Sequence, residues 1–160
     1  MVCNEFENYV CVDGVTDLDL RQTLDCGQSF RWTENADGSF DGIAFAKKVR
    51  VKLAENKLYI ENSNKADFEN IWKSYFDLEL DYGKIREEIS EIHPVLKEAA
   101  KYAPGIRILR QEPYEALCTF IISQNNNIKR IKGIVQRLCE SFGEEISPGD
   151  FAFPTPQKMA

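Results

Sequence analysis

The sequence is poor in metal ligands: it contains one histidine, His93, and five cysteines of which no two form a C-x-x-C pair. The odd, scattered set Cys3, Cys11, Cys26, Cys118 and Cys139 argues against both a disulfide framework and a zinc site, and reduced, mostly buried thiols are expected. His93 precedes Pro94, where the restricted backbone marks a helix start, so its expected role is structural. No apolar run reaches the ~18 residues that a membrane span requires. The opening Met1-Val2-Cys3-Asn4-Glu5 carries acid where a signal peptide carries base, and a soluble intracellular protein is expected. A Gly-rich phosphate loop and a nucleophile elbow are also missing. The carboxylates Asp77, Glu79, Asp81, Glu87, Glu88 and Glu91 are spaced as solvated surface rather than as an acid/base pair.

What is present is a globular composition, 43% hydrophobic and 29% charged over 160 residues, which suffices for one domain or two small ones. The net charge of −6 speaks against a polyanionic partner until its distribution is considered. Between Arg107 and Arg137 six basic residues (Arg107, Arg110, Lys129, Arg130, Lys132, Arg137) face two acidic ones (Glu112, Glu115), so this stretch carries +4 and the remainder −10. One local face can therefore meet phosphate while the rest stays acidic.

Period-two alternation in Val49/Val51/Leu53 and Leu58/Ile60 predicts half-buried strands. Further strands are expected at Ser29–Trp32 and Ser39–Ala46, with turns at Asp37-Gly38 and Glu55-Asn56, giving an antiparallel meander. After Asn62 the spacing becomes helical. Phe68, Ile71, Trp72, Tyr75 and Phe76 form one stripe, with Asp67 or a neighbour as cap. Helices are predicted at Tyr82–Ser90, His93–Tyr102, Pro113 to about Gln124, and Ile128 to about Phe142, the last ended by Gly143. Ala116, Leu117, Phe120 and Ile121 are expected to face the core. Ser147–Pro156 reads as a turn-rich linker, followed by the first turn of another helix.

Two stretches invite a functional reading. In Cys26-Gly27-Gln28-Ser29-Phe30-Arg31-Trp32, the glycine before a strand either makes a bend or lets the backbone approach a ligand. In Ser123-Gln124-Asn125-Asn126-Asn127-Ile128-Lys129-Arg130, the amides either cap a helix turn or, with the two cations, meet base edges and phosphates.

Together and in this order, these blocks resemble the 8-oxoguanine DNA glycosylases of the helix-hairpin-helix superfamily. Gly27–Trp32 is similar to that family's G-Q-S-F-R-W signature, and Gly105–Pro113 (GIRILRQEP) to its G-(V/I)-R-(I/L)-L-R-Q-(D/E)-P. Phe120–Ile131 and, more weakly, Tyr75–Leu78 supply two further blocks. The resemblance implies an α+β fold: an antiparallel sheet flanked by helices, similar to half of a TATA-binding-protein-like domain, over residues 1–104. The first helices of an α-helical glycosylase domain would follow over 105–160. It implies that the main-chain carbonyl of Gly27 accepts the N7 hydrogen of 8-oxoguanine, a hydrogen that guanine lacks. It further implies that Asn125 fills the gap left by the extruded base, that Arg130 reads the orphaned cytosine with Asn127 and Lys129 beside it on the DNA, and that Phe120 lines the lesion pocket or packs in the core.

The family's hairpin, catalytic lysine and catalytic aspartate are expected beyond Ala160, so no catalytic residue, metal ligand or cofactor is assigned within these residues. The implied partner is double-stranded DNA containing 8-oxoguanine, with no membrane, and a monomeric full-length protein in the cytoplasm, nucleoid or nucleus. Two alternatives are an alkylbase DNA glycosylase and a non-catalytic damaged-DNA-binding module. The last helix pair is also expected to leave apolar surface uncovered.

Overall fold

Alternating valines and isoleucines can bury one side of a strand only if a sheet carries them, and the computed structural model, which describes residues 1–160, provides one of six antiparallel strands. β1 (Val2–Glu5), β2 (Tyr9–Asp13), β3 (Trp32–Glu34), β4 (Phe40–Ala44), β5 (Lys47–Ala54) and β6 (Lys57–Glu61) lie in the order β1-β2-β6-β5-β4-β3. β5 and β6 are joined by Glu55-Asn56, both at positive φ (50° and 60°), as a two-residue hairpin of right-handed twist requires. Their register sets Val51 against Ile60 and Leu53 against Leu58.

Four departures from the sequence reading have local causes. The strand expected at Ser29–Trp32 begins only at Trp32, because the residues before it are drawn into the loop described below. At Asp37-Gly38 only the glycine takes positive φ, +78°. β1, β2 and a short helix α1 (Leu20–Leu24) left no periodic signal. Val10, Cys11 and Val12 are all buried, so β2 has no polar alternation, and α1 is too short to show a repeat. The expected linker contains a hairpin, β7 (Glu145–Ser147) with β8 (Asp150–Phe151), which buries Ala152.

One face of the sheet is covered by a helical run made of α2 (Lys65–Asp67), a π-helical turn (Phe68–Trp72) and α3 (Lys73–Tyr75). Its cap is Asn64, whose side chain accepts from the Asp67 N–H at 2.8 Å, rather than Asp67. Phe68, Trp72, Tyr75 and Phe76 are buried against Val49, Val51, Leu58 and Ile60. At about 1.5–3 kcal/mol for each large apolar side chain removed from water, this layer is the main stabilising element. Both buried indoles satisfy their N–H groups, Trp32 on the Tyr75 hydroxyl at 2.7 Å and Trp72 on the Ser63 hydroxyl at 3.0 Å. Trp32 lies so close over Gly42 that a methyl there would sit 2.2 Å from the ring.

Beyond the sheet come α4 (Tyr82–Ile92), α5 (Pro94–Tyr102), α6 (Pro113–Ser123), α7 (Ile128–Phe142) and α8 (Pro156–Met159), close to the predicted bounds. His93 caps α5 by accepting from the Val95 N–H at 3.1 Å. Gly143 ends α7 at φ −76°, and its small size matters because a methyl would lie 2.2 Å from the Ala152 carbonyl oxygen. The thiols are less buried than expected. Cys11 and Cys139 are buried, Cys3 and Cys118 partly so, and Cys26 is exposed. No helix is long and apolar enough to cross a membrane.

Candidate nucleic-acid interface

The loop between α1 and β3 has too few residues to fold on itself and is held by hydrogen bonds to distant chain. Asp19 caps α1 by accepting from the Gln22 N–H at 2.9 Å. This sets Gln22 and Thr23 against the extended strip 105–111: Gly105 N–H donates to Gln22 Oε1 (2.8 Å), and the Thr23 hydroxyl donates to the Gly105 carbonyl (3.0 Å). Gln28 completes the lattice. Its amide nitrogen donates to the Thr23 and Arg107 carbonyls, both at 2.8 Å, and its amide oxygen accepts from Leu109 N–H at 3.0 Å. Gln111 Nε2 donates to the Gln28 carbonyl at 2.5 Å. Leu109 itself joins the core under the sheet.

Gly27 is the exception within this loop. It sits at φ +89°, and neither its N–H nor its carbonyl makes a hydrogen bond within the chain. A left-handed φ of this kind is one that other residues adopt only with strain. A methyl on its Cα would lie 3.8 Å from Ile128 Cδ1, so the glycine faces the first turn of α7. Lys132 on the next turn donates to Asp25 Oδ1 (3.2 Å) and to the Trp32 carbonyl (2.9 Å), tying α7 to both ends of the loop. The two stretches singled out in the sequence therefore meet in space, although about a hundred residues separate them.

The α6–α7 corner is built from the three asparagines, each with a different task. Asn125 turns the chain at φ +55°, and its side-chain amide is exposed and without a partner. Asn126 Nδ2 donates to the Ile122 carbonyl at 2.7 Å and closes the end of α6. Asn127 caps α7, its side chain accepting from the Arg130 N–H at 3.0 Å. Lys129 and Arg130 project from the first turn of α7, exposed and unpaired, as does Arg137 further along. Cations at a helix N-terminus add to the positive end of its dipole, which costs helix stability and favours a bound anion.

Only these three of the six basic residues stay free. Arg110 pairs with Asp77 at 3.3 Å and Lys132 with Asp25. Arg107 is only 3% exposed, and it donates to the carbonyls of Thr16 (2.8 Å), Asp17 (3.1 Å), Asp77 (2.7 Å) and Leu80 (3.3 Å), with its guanidinium over the Tyr82 ring. Burial pulls its pKa below the ordinary guanidinium value, while Tyr82, Asp17 and Asp77 act in the opposite direction. The sequence count of +4 thus overstates the charge available to a ligand.

The face expected to bury Leu117, Phe120 and Ile121 is turned outward: these side chains are 57%, 65% and 61% exposed. α6 is apolar on more than one side, so its sequence did not select a face. Glu115 and Thr119 point inward instead. Thr119 satisfies its hydroxyl on the Glu115 carbonyl at 2.8 Å, and Glu115 lies 3.8 Å from the buried Arg31 guanidinium. Burial pushes the Glu115 carboxyl up from 4.5 to about 7, against the opposing pull of Arg31. Arg31 also donates to the Phe151 carbonyl, which fastens the β7–β8 hairpin to the loop. Phe120 is therefore an exposed surface residue rather than a core one.

A cavity of about 410 Å³ lies on another side of α7, lined among others by Arg31, Lys48, Lys132, Val135 and Phe151. It includes neither Gly27 nor Asn125. The residues that sequence reasoning missed are Gln28 and Gln111. Gln28 stands inside a singled-out stretch and Gln111 inside the Gly105–Pro113 block, and only the folded chain shows that their amides bond to each other's segments.

A sequence model described as the N-terminal domain of 8-oxoguanine DNA glycosylase matches residues 12–117. The N-glycosylase/DNA lyase of Saccharomyces cerevisiae is 32% identical over 162 residues, covering 90% of this chain and 43% of that protein. The 8-oxoguanine glycosylase/lyase of Clostridium acetobutylicum, solved with double-stranded DNA containing cytosine opposite 8-oxoG, superposes with a TM-score of 0.94 at 41% identity, covering 99% of this chain and 55% of that one. MBOgg1 in complex with a low-affinity DNA ligand gives 0.92 at 46% identity over 99% of this chain and 56% of that one. The chain thus spans about half the length of the proteins it matches. By its matched domain, its antiparallel sheet with flanking helices, and its likeness to these glycosylases, the chain belongs to the 8-oxoguanine DNA glycosylase family, whose N-terminal domain it carries.

Proposed function

We propose that these residues serve base-excision repair by recognising 8-oxoguanine opposite cytosine in double-stranded DNA, as part of a DNA glycosylase with AP lyase activity. Residues 1–104 would form the sheet domain and 105–160 the beginning of the helical domain, with the strip 105–111 as the seam between them. The observation that carries this reading is Gly27, whose carbonyl has no partner in the chain and whose Cα faces the first turn of α7. 8-Oxoguanine carries hydrogen on N7 and guanine a lone pair, so one fixed carbonyl attracts the first and repels the second.

To reach such a carbonyl the nucleotide must leave the stack, and the vacated position needs a plug. Asn125, exposed and with a free amide, suits that role. Arg130 carries donors for the acceptor edge of the orphaned cytosine, and Lys129 is placed for phosphate. Asn127 acts through the cap that orients Arg130. Phe120 is available to lie against an extruded base, since its ring is open to solvent. No residue of 1–160 is assigned the nucleophile, for Lys132 is held by Asp25 and Trp32, and Lys129 stands on the DNA-reading turn. The setting would be wherever the cell keeps its DNA, whether nucleoid or nucleus, and the acting species a monomer.

Borohydride trapping on a duplex with one 8-oxoguanine opposite cytosine tests this, run on the 160-residue chain beside the full-length gene product. A covalent adduct with the full-length product alone supports recognition residues here and a nucleophile elsewhere. An adduct with the 160-residue chain overturns that division, and no lesion preference in either overturns the reading of Gly27.

A further inference from the structure

We propose that Gln28 is the positioning residue that holds the Gly27 carbonyl in its reading orientation and thereby sets the discrimination between 8-oxoguanine and guanine; this rests on the reading of Gly27 above. A glycine with no hydrogen bond of its own is free to change the sign of φ, and its carbonyl would swing with it. A carbonyl that swings cannot distinguish a donor from an acceptor, so something adjacent must fix the peptide it shares with residue 28. Gln28 does so at four points. Both of its amide hydrogens are used, on the Thr23 and Arg107 carbonyls at 2.8 Å, and its amide oxygen takes the Leu109 N–H at 3.0 Å. Its own carbonyl is held by Gln111 Nε2 at 2.5 Å.

The anchors are themselves immobile. Thr23 and Arg107 are buried, Arg107 is bound to four carbonyls, and Leu109 is in the core. Ile128 Cδ1 lies 3.8 Å from where a Gly27 Cβ would stand, which leaves the glycine open on the side of α7. The glycine is thus a single free peptide next to a residue held at four points. Gln111 acts one step further out, through the Gln28 carbonyl alone.

The test compares wild type, Gln28→Met and Gln111→Met in the full-length gene product. Affinity is measured by fluorescence anisotropy for duplexes bearing 8-oxoguanine, guanine or a tetrahydrofuran abasic site opposite cytosine. Gln28→Met is expected to lower the 8-oxoguanine-to-guanine affinity ratio about tenfold, the scale of one lost directed hydrogen bond, while affinity for the abasic duplex, which offers no base to read, is unchanged. Gln111→Met is expected to lower the ratio about threefold in the same selective way. A folded Gln28→Met protein that keeps the wild-type ratio overturns the inference, as does an equal loss of affinity for all three duplexes. Should Gln28→Met fail to fold, Gln111→Met decides on the same two readings. A wild type without lesion preference overturns the Gly27 reading and this inference with it, whereas preference retained in the folded variants overturns this inference alone.

Discussion

Arg107 and Arg130 are the same residue type in one basic stretch of the sequence, yet the fold uses them in opposite ways. Arg107 is sealed under the sheet side of the molecule, where its guanidinium gathers the carbonyls of Thr16, Asp17, Asp77 and Leu80 from two separate segments. Arg130 stands on the first turn of α7, exposed and unpaired, with only its backbone N–H engaged by Asn127. A buried guanidinium is tolerated because carbonyl lone pairs replace its water, so the first arginine acts on stability. The second keeps its hydration and its charge. The 105–111 strip and the α6–α7 corner thus divide the two tasks that a basic motif can have.

Replacing Arg107 sharpens the contrast most. Arg107→Met leaves four carbonyls without their donor and is expected to cost about 3–5 kcal/mol in urea unfolding, as for loss of one side of a buried charged network. A cost below about 1 kcal/mol would mean that the arginine is not the clasp described here. Glu115 ranks next, because it is the ionisable group buried between the two regions. Its folded-state value near 7 lies above its ordinary 4.5, so the stability it contributes is complete below about pH 4.5 and is lost as pH rises through about 7. Unfolding free energy should therefore rise by up to about 3 kcal/mol on acidification across that window, after allowance for other groups, and Glu115→Gln should flatten the profile. An unaltered pH profile in the variant would assign the effect to other carboxylates.

Gly42→Ala probes the sheet side by packing alone. A methyl 2.2 Å from the Trp32 ring must displace the indole, at an expected cost of about 1–3 kcal/mol. Retention of the Trp32 near-ultraviolet signal and of full stability would show that the ring has room to move. The smallest stability effect belongs to the corner: Arg130→Ala should shift unfolding by no more than about 0.5 kcal/mol. The same substitution should weaken duplex binding by about 1–3 kcal/mol and relax the preference for cytosine opposite the lesion. Weakened folding with an unchanged preference for cytosine would reverse the comparison with Arg107.

A surface difference accompanies this division. Leu117, Phe120, Ile121 and Ile128 are exposed around the corner, whereas Val49, Val51, Leu58 and Ile60 of the sheet are buried. Exposed apolar clusters favour association. Light scattering on the 160-residue chain is expected to show self-association that Leu117→Ser with Ile121→Ser removes, and a monodisperse wild-type monomer would count against it.

Much of this architecture was legible from the residues. The alternation at Val49–Leu53, the Glu55-Asn56 turn, Pro113 at the start of α6 and Gly143 at the end of α7 each report a local preference that the folded chain keeps. β2 escaped because both its faces are covered, which removes the polar alternation that marks a strand. α6 was assigned to its length but to the wrong face, since an apolar residue on every side leaves the choice to its neighbours. Of the candidate site, the blocks around Gly27 and Asn125 stood out, but Gln28 and Gln111 within and beside them did not.

What the sequence by itself determined is therefore what acts over a few residues: which periodic segments extend or coil, and where most of the turns and helix ends fall. Only the tertiary structure decided which cations stay free, which face of α6 is exposed, and that Gly27 meets Ile128 with an unpartnered carbonyl. Those outcomes depend on hydrogen bonds and contacts between segments some eighty to a hundred residues apart, such as Gln28 with Arg107 and Asp25 with Lys132. The reason is physical. Local propensity is set by steric and hydrogen-bonding terms within a turn, whereas desolvation of a charge or a side chain depends on whatever the rest of the chain brings against it.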